Sequence, residues 1–413
     1  MTVGRRAALA CALLAAGASA PLPGQSRSPD SLAPRIQVIT VGPGPLLWEW
    51  FGHNMIRVTD PATGSDLAYN FGIFDFKQKN FYWNFLQGRM RYALDAWPAQ
   101  GSLEFYRRMG RAIDIQDLAL TPGEARTLAA ALVRNAEPDQ RLYQYDYFRD
   151  NCSTRVRDAL NRALGGALEH ELGPVPAGAT YRSITGDLTS GRPLAYFGLM
   201  LLLGPAADDS LTDWTASFIP MILAHRLALM HVTEPDGSEV QLVSGGEYLA
   251  ARANDDGAPG NPAALLPWFL VAGVLLGGVL AWAGARAGAG KGRGAFVTLA
   301  GLWSLLTGLV GFLLVYLWAF TDHAVAYRNE NVLQASALGL LLFASLAAWV
   351  RGRPVGRTIR VLAYTIAAVS LAGVALKFVP GPNQVNGVVL AFFLPANIGM
   401  ALAARRAVPP VTT

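Results

Sequence analysis

Tyr145-Asp146-Tyr147-Phe148-Arg149-Asp150-Asn151-Cys152-Ser153-Thr154-Arg155 is the stretch on which the reading of this chain turns. A strand read over Arg141–Tyr147 leads into it. Val156, Ala159, Leu160, Ala163 and Leu164 then recur at helical spacing, until Gly165-Gly166 ends the helix. Asp150 or Asn151 is placed to cap that helix, so Cys152 falls in its first turn. Unpaired backbone N–H groups and the helix dipole favour an anion there, which predicts a lowered thiol pKa and a reactive thiolate. The competing reading is a buried, inert thiol. The polar neighbours Asp150, Asn151, Ser153, Thr154 and Arg155 speak against it.

The start of the chain sharpens the point. Met1 to Arg6 carries two arginines, an apolar run follows from Ala7 to Ala18, and Ala18-Ser19-Ala20 resembles a cleavage site. That order predicts a secretory signal peptide over residues 1–20, with a Pro-, Ser- and Gly-rich linker over 21–34. Cys11 belongs to the signal segment, which leaves Cys152 as the sole cysteine of the mature chain. Exported proteins normally pair their cysteines, so a leftover one reads as either an intermolecular partner or a free reactive thiol.

Composition points to a membrane. Only 15% of the 413 residues are charged, and the mean hydropathy is +0.28. The net charge of +5 is unevenly spread: from Ala263 onward there are 11 Lys and Arg against 2 Asp and Glu. No basic patch interleaved with aromatics appears earlier, which excludes a nucleic-acid partner. Five apolar stretches follow: Ala264–Gly284, Ala295–Phe320, Val332–Val350, Val361–Val379 and Val388–Ala404. Each is near the roughly 20 residues a spanning helix needs. Arginines and lysines concentrate in the first and third loops and after the last helix, so those segments are expected to be cytoplasmic and the N-terminal domain outside. No span carries an acidic pair or a relay of ionisable groups, which speaks against a proton-coupled transporter. Residues 35–246 are thus expected as an exported domain, 247–262 as a linker, and 263–406 as the membrane domain.

Within the exported domain, Arg35–Val41, the stretch from His53, and Leu67–Phe74 read as strands, the last two joined by the turn cluster Asp60–Gly64. Phe81–Leu94 reads as an aromatic helix and Arg111–Leu120 as a central strand. Thr121-Pro122-Gly123-Glu124 carries a capping box with proline at the first helical position. Pro193–Gly204 is apolar but too short to span, and Trp214–Met230 reads as a further apolar helix. A thiolate nucleophile needs a proton acceptor, and the domain offers His53, His170, His225 and His231. A strand-borne His53 facing a helix-borne Cys152 is the favoured pair, with Asn70 on the neighbouring strand as the orienting group. Asn151 is expected to help hold an oxyanion. No Cys/His cluster has metal-ligand spacing, so neither metal nor cofactor is expected.

Trp50-Phe51-Gly52-His53-Asn54, Tyr69-Asn70-Phe71-Gly72-Ile73-Phe74-Asp75-Phe76 and Tyr147-Phe148-Arg149-Asp150-Asn151-Cys152-Ser153-Thr154 resemble the Lnb-type periplasmic domain. The resemblance implies an α+β domain of circularly permuted NlpC-like papain fold, in which His precedes Cys, followed by an α-helical membrane domain. It implies that His53 and Cys152 are the catalytic pair of a bacterial lipoprotein N-acyltransferase in the inner membrane. Its partners would be a phospholipid acyl donor, a lipoprotein acceptor and the membrane itself. Trp50, Asn54, Tyr69, Tyr147 and Arg155 are candidate substrate contacts, as is His323 in the polar loop Thr321–Asn331 between the second and third spans. Two other readings stay open: a membrane-tethered cell-wall cysteine peptidase or amidase, and a non-enzymatic polytopic envelope protein.

Overall fold

A computed structural model describes residues 32–233, 237–249, 260–381 and 384–408. The expected signal peptide, the first linker up to residue 31 and residues 250–259 of the second linker lie outside them. The chain is of the α+β kind, a sheet domain followed by long apolar helices.

The sheet has seven strands in the order β11-β5-β1-β2-β3-β4-β6, each pair antiparallel. These are β1 (Arg35–Val41), β2 (His53–Asp60), β3 (Ser65–Ile73), β4 (Arg91–Pro98), β5 (Ile113–Leu118), β6 (Leu142–Gln144) and β11 (Val243–Leu249). The His53 strand β2 is therefore the middle one. The strand expected at Arg111–Leu120 is real but lies next to the edge, because β11 closes that side; β11 also runs to Leu249, beyond the expected domain end at 246. The strand expected at Arg141–Tyr147 shrinks to Leu142–Gln144. The aromatic segment splits into a short helix α1 (Phe81–Gln87) and the start of β4, with Gly88 in the left-handed region ending the helix.

Alternation along the strands gives the sheet two apolar faces. Val38, Ile56, Val58, Phe71 and Leu94 pack under α3 (Pro122–Asn135) and α4 (Cys152–Ala163), while Ile39, Val41, Met55 and Ala68 pack under α2 (Ala99–Arg108). The capping box of α3 forms as read: Thr121 Oγ1 accepts from the Glu124 N–H at 3.2 Å, and the Glu124 carboxylate accepts from the Thr121 N–H at 2.7 Å. Beyond α4 come α5 (Ala167–Leu172), β7 (Pro176–Thr180), α6 (Tyr181–Thr189) and α7 (Pro193–Leu202). β7 pairs with β8 (Ser210–Thr212), and β9 (His231–Thr233) pairs with β10 (Glu239–Gln241). The segment read as one apolar helix from Trp214 is two, α8 (Asp213–Ala216) and α9 (Pro220–Leu229), because Pro220 cannot continue the first.

Among the described residues five helices are long and apolar enough to cross a membrane: α10 (Pro262–Gly288), α11 (Arg293–Phe320), the segment Glu330–Val350 containing α12 (Leu338–Val350), the segment Gly356–Phe378 containing α13 (Gly356–Ala375), and α14 (Gly387–Ala407). α10 and α14 pack backbone against backbone. A Cβ on Gly277 would stand 2.3 Å from the Pro395 carbonyl oxygen, so only glycine allows this approach. Pro395 and Asn397 do not interrupt α14; Asn397 Nδ2 donates to the Gln334 carbonyl at 2.9 Å inside the bundle. Lys377, just past the end of α13, pairs with Glu330 and donates to the Gln384 carbonyl at 2.7 Å.

The sheet domain is bolted to this bundle through α7. The last carbonyls of a helix lack partners within it. Here Asn331 donates to Met200 and Leu201 at 3.1 and 2.9 Å, Asn329 to Leu201 and Leu202 at 2.9 Å, and Gln384 to Leu203 at 2.8 Å. Phe197 of α7 stacks on Phe269 of α10 at 4.6 Å. The short apolar helix is thus a joint between the two parts.

Candidate active site

Asn151 adopts extended backbone and caps α4: its Oδ1 accepts from the N–H groups of Ser153 and Thr154 at 2.9 and 3.0 Å. Both hydrogens of its Nδ2 are also taken, by the carbonyls of Tyr147 and Phe218 at 2.9 and 3.0 Å. With every polar atom committed and the side chain buried, Asn151 has nothing to offer an oxyanion. Its expected role is corrected: it builds the helix start and does not touch the chemistry.

Cys152 is partly buried at the first position of α4. The helix lies across β2 and β3, where Asn54 Nδ2 donates to Ser153 Oγ at 3.1 Å and Ser153 Oγ donates to the Ser217 carbonyl at 2.7 Å. β3 bulges between Phe71 and Ile73; Gly72 there has φ +89, and a Cβ on it would sit 3.5 Å from the Cys152 Cβ. The backbone N–H groups of Asn54, Ser153 and Cys152 itself point at the sulfur, and the Arg111 charge also favours its anion. Burial nevertheless outweighs them and pushes the thiol above its ordinary value of 9.0. The expected preformed thiolate is not what this site holds at rest. Cys152 sits in a nest of N–H donors with its thiol pKa raised, not lowered.

His53 opens β2. Its neighbour Asn54 faces α4, so alternation turns the His53 ring to the α2 side, where it lies 6.2 Å from the Tyr106 ring. The two sides meet because the sheet ends here. β1 stops at Val41 opposite His53, β3 bulges at Gly72, and the Arg111 charge acts on both the Cys152 thiol and the His53 ring. The ring's partner is Asn70, whose Oδ1 lies 3.3 Å from Nε2. Asn70 Nδ2 donates to the Ala68 carbonyl at 3.1 Å, so its Oδ1 must be the end facing the ring and can only accept. This assigns the hydrogen to Nε2 and leaves Nδ1 as a free base. Burial, with a smaller push from Arg111, lowers the His53 pKa to about 4 against the Asn70 bond, which raises it. Among the described residues no hydrogen bond joins ring and sulfur; such contacts commonly close only when substrate binds.

The remaining candidates separate. Asn54 is fully buried beside the thiol, with its Oδ1 unpaired. Trp50 donates to the Pro45 carbonyl at 3.2 Å under the Arg192 guanidinium, a packing role. Tyr69 is buried in the core beneath α3 and α4. Arg155 is held bidentate by Asp150 above the Tyr143 ring. His323 accompanies Tyr147: their rings stack at 6.1 Å, and His323 Nε2 lies 3.0 Å from the Phe85 carbonyl. His170, His225 and His231 are all exposed.

Sequence reasoning missed the buried pair Arg111–Glu49, 3.6 Å apart, whose arginine also donates to the Gly42 carbonyl at 2.8 and 2.6 Å. Glu49 lies four residues before His53, but nothing in the sequence joins it to an arginine on another strand's approach. No group of three or more His, Cys, Asp or Glu among the described residues is arranged to hold a metal.

Residues 28–186 match the family model described as the Lnb N-terminal periplasmic domain, a span that contains His53, Asn70 and Cys152. No curated protein and no solved structure matches the chain. The chain therefore carries an Lnb-type N-terminal periplasmic domain, followed among the described residues by five helices long and apolar enough to cross a membrane.

Proposed function

We propose that the protein is a thiol-dependent lipoprotein N-acyltransferase of the bacterial inner membrane, its sheet domain of permuted papain-like kind on the periplasmic side and its C-terminus cytoplasmic. The observation that carries the reading is the His53 ring, oriented by Asn70 with Nδ1 free, at the sheet end where Cys152 sits among backbone N–H donors. The orientation rests on the positive loops and C-terminal Arg405 and Arg406.

In the first half-reaction the Cys152 sulfur attacks the carbonyl carbon of a phospholipid acyl ester while His53 Nδ1 takes the thiol proton. The Cys152 N–H, at a position no helical carbonyl serves, and the Asn54 N–H are the donors available to the oxyanion. The intermediate collapses, the bond to the glycerol oxygen breaks, and His53 returns the proton to that oxygen. A lysophospholipid leaves and the acyl chain remains as a Cys152 thioester. In the second half the N-terminal amine of a diacylglyceryl lipoprotein attacks the thioester, His53 takes a proton from the amine, and the sulfur leaves and is reprotonated. The neutral pair suits this general-base route, since a protonated imidazole could not accept either proton.

Acyl transfer is favoured over peptide or amide cleavage by the placement of the site. The sheet domain is tied by α7 and by His323 to the ends of the membrane helices, where both substrates are confined. Mass spectrometry of lipoprotein N-termini tests it in cells with no other N-acyltransferase. Wild type restores N-acylated termini and Cys152→Ala leaves the free amine. Persistence of N-acylation with the alanine variant would remove the thiol from the mechanism.

A further inference from the structure

α1 and the loops beside it form a surface that the reaction above does not use. Tyr82, Trp83 and Phe76 are exposed by 74%, 57% and 48%, and Trp48 joins them, its ring 5.9 Å from that of Phe76. The helix Phe81-Tyr82-Trp83-Asn84-Phe85-Leu86-Gln87 carries no charge. A soluble domain rarely leaves so many aromatics together in water.

Two observations say what covers them. The first is depth. Gln87 hydrogen-bonds the hydroxyl of Tyr316, which lies four residues, about 6 Å of helix rise, inside the end of α11. The Asp322 N–H donates to the Gln87 carbonyl at 2.8 Å, and Arg89 pairs with Asp322 at 2.7 Å. α1 is therefore pinned at the level of the last turn of a membrane helix, where tyrosine and tryptophan concentrate in membrane proteins. The second is continuity with the thiol. Phe76 packs on Phe74 at 5.0 Å, Phe74 stacks on Tyr92 at 5.1 Å, and Tyr92 stacks on Tyr145 at 4.1 Å. Tyr92 also pairs across the sheet with Tyr143, whose hydroxyl flanks Gly72 together with the Cys152 Cβ, the two lying 3.9 and 3.5 Å from where a Cβ on Gly72 would stand. An unbroken aromatic strip runs from the exposed patch to the nucleophile.

We infer that this strip is a lipid-facing platform: α1 and Phe76 sit in the periplasmic leaflet and guide a phospholipid acyl chain along Phe74 and Tyr92 to Cys152. The inference rests on the acyl-transfer reading for the chain it guides, but not for the depth of the platform.

Two measurements on the full chain in phosphatidylethanolamine–phosphatidylglycerol vesicles test it. The triple variant Tyr82→Ser, Trp83→Ser, Phe76→Ser changes only exposed side chains. It is expected to form the Cys152 thioester from vesicle phospholipid about tenfold more slowly or worse, as loss of buried aromatic area implies. Its reaction with water-soluble p-nitrophenyl acetate should match wild type. Equal rates from vesicle lipid would overturn the proposal, and equal loss with both donors would mark a general defect and overturn it too. Separately, a nitroxide at Tyr82→Cys, in a chain with Cys11→Ser and Cys152→Ser, should be relaxed by oxygen and shielded from an aqueous nickel chelate. Free access of the chelate would place the patch in water, open to a soluble partner, and refute the platform. If wild type forms no thioester from either donor, the acyl-transfer reading fails, while the nitroxide still decides the platform.

Discussion

Replacing Asn70 tests the proposed base more directly than replacing His53 itself. Asn70 is fully buried; its Oδ1 holds His53 Nε2 at 3.3 Å, and its Nδ2 is fixed by the Ala68 carbonyl at 3.1 Å. Asn70→Ala removes one neutral hydrogen bond, worth about 1 kcal/mol net, and leaves a buried ring N–H unpaired, which costs about 1–3 kcal/mol. If that penalty falls on the oriented ring needed in the transition state, single-turnover acylation of Cys152 slows by about 10- to 100-fold. The assay is mass-spectrometric detection of the thioester against time over a range of pH. His53 must be neutral to act, so activity falls as pH drops through its pKa of about 4. Asn70→Asp supplies a carboxylate that favours the imidazolium, so its acid limb should move to higher pH than wild type. A residue that merely supports the fold would lower the yield of folded protein without moving the limb. A wild-type rate in Asn70→Ala, or an unmoved limb in Asn70→Asp, would refute the assignment of the ring's orientation to Asn70.

The depressed His53 pKa also makes stability depend on pH. The unfolded chain binds the proton below 6.5 and the folded one only below about 4, so stability should decline by up to about 3 kcal/mol as pH falls through that window. Denaturation in detergent micelles should show this slope in wild type and lose it in His53→Gln. Asn151→Ala strips the α4 cap and two carbonyl partners, and should cost about 1–3 kcal/mol, read as a lower Tm. Asn151→Asp keeps the acceptor and loses the donations, so its Tm should fall between the two; an unchanged Tm in the alanine variant contradicts the cap. Gly72→Ala forces a side chain onto φ +89 at the bulge beside Cys152 and should cost about 1–3 kcal/mol, with slower thioester formation in what folds. Wild-type Tm and rate there would show that the bulge tolerates a Cβ.

The parts of this molecule that could be read in advance are those written in local chemistry. The α3 capping box, the Cys152 helix with its apolar stripe and Gly165-Gly166 end, and five apolar spans need no knowledge of what lies across the fold. What depends on distant neighbours was harder to read. The central place of β2 follows from β11 joining the sheet from the far end of the domain, and the Arg111–Glu49 pair joins residues whose closeness no spacing announces. Asn151 shows the same limit within one residue: its capping was legible, but the Phe218 carbonyl that uses up its amide was not. The thiol is the sharpest case. A helix start carries about half a positive charge, and the N–H groups of Asn54, Ser153 and Cys152 favour the thiolate, but the expected lowering of the pKa does not follow. Removing a thiolate from water is a property of everything packed around it, from Asn54 to the Gly72 bulge, and it opposes the dipole with a larger effect. In the proposed mechanism, the raised thiol pKa and the lowered pKa of His53 mean that Cys152 is deprotonated at the moment of attack. In that mechanism the proton acceptor and its orientation by Asn70 outweigh the helix start.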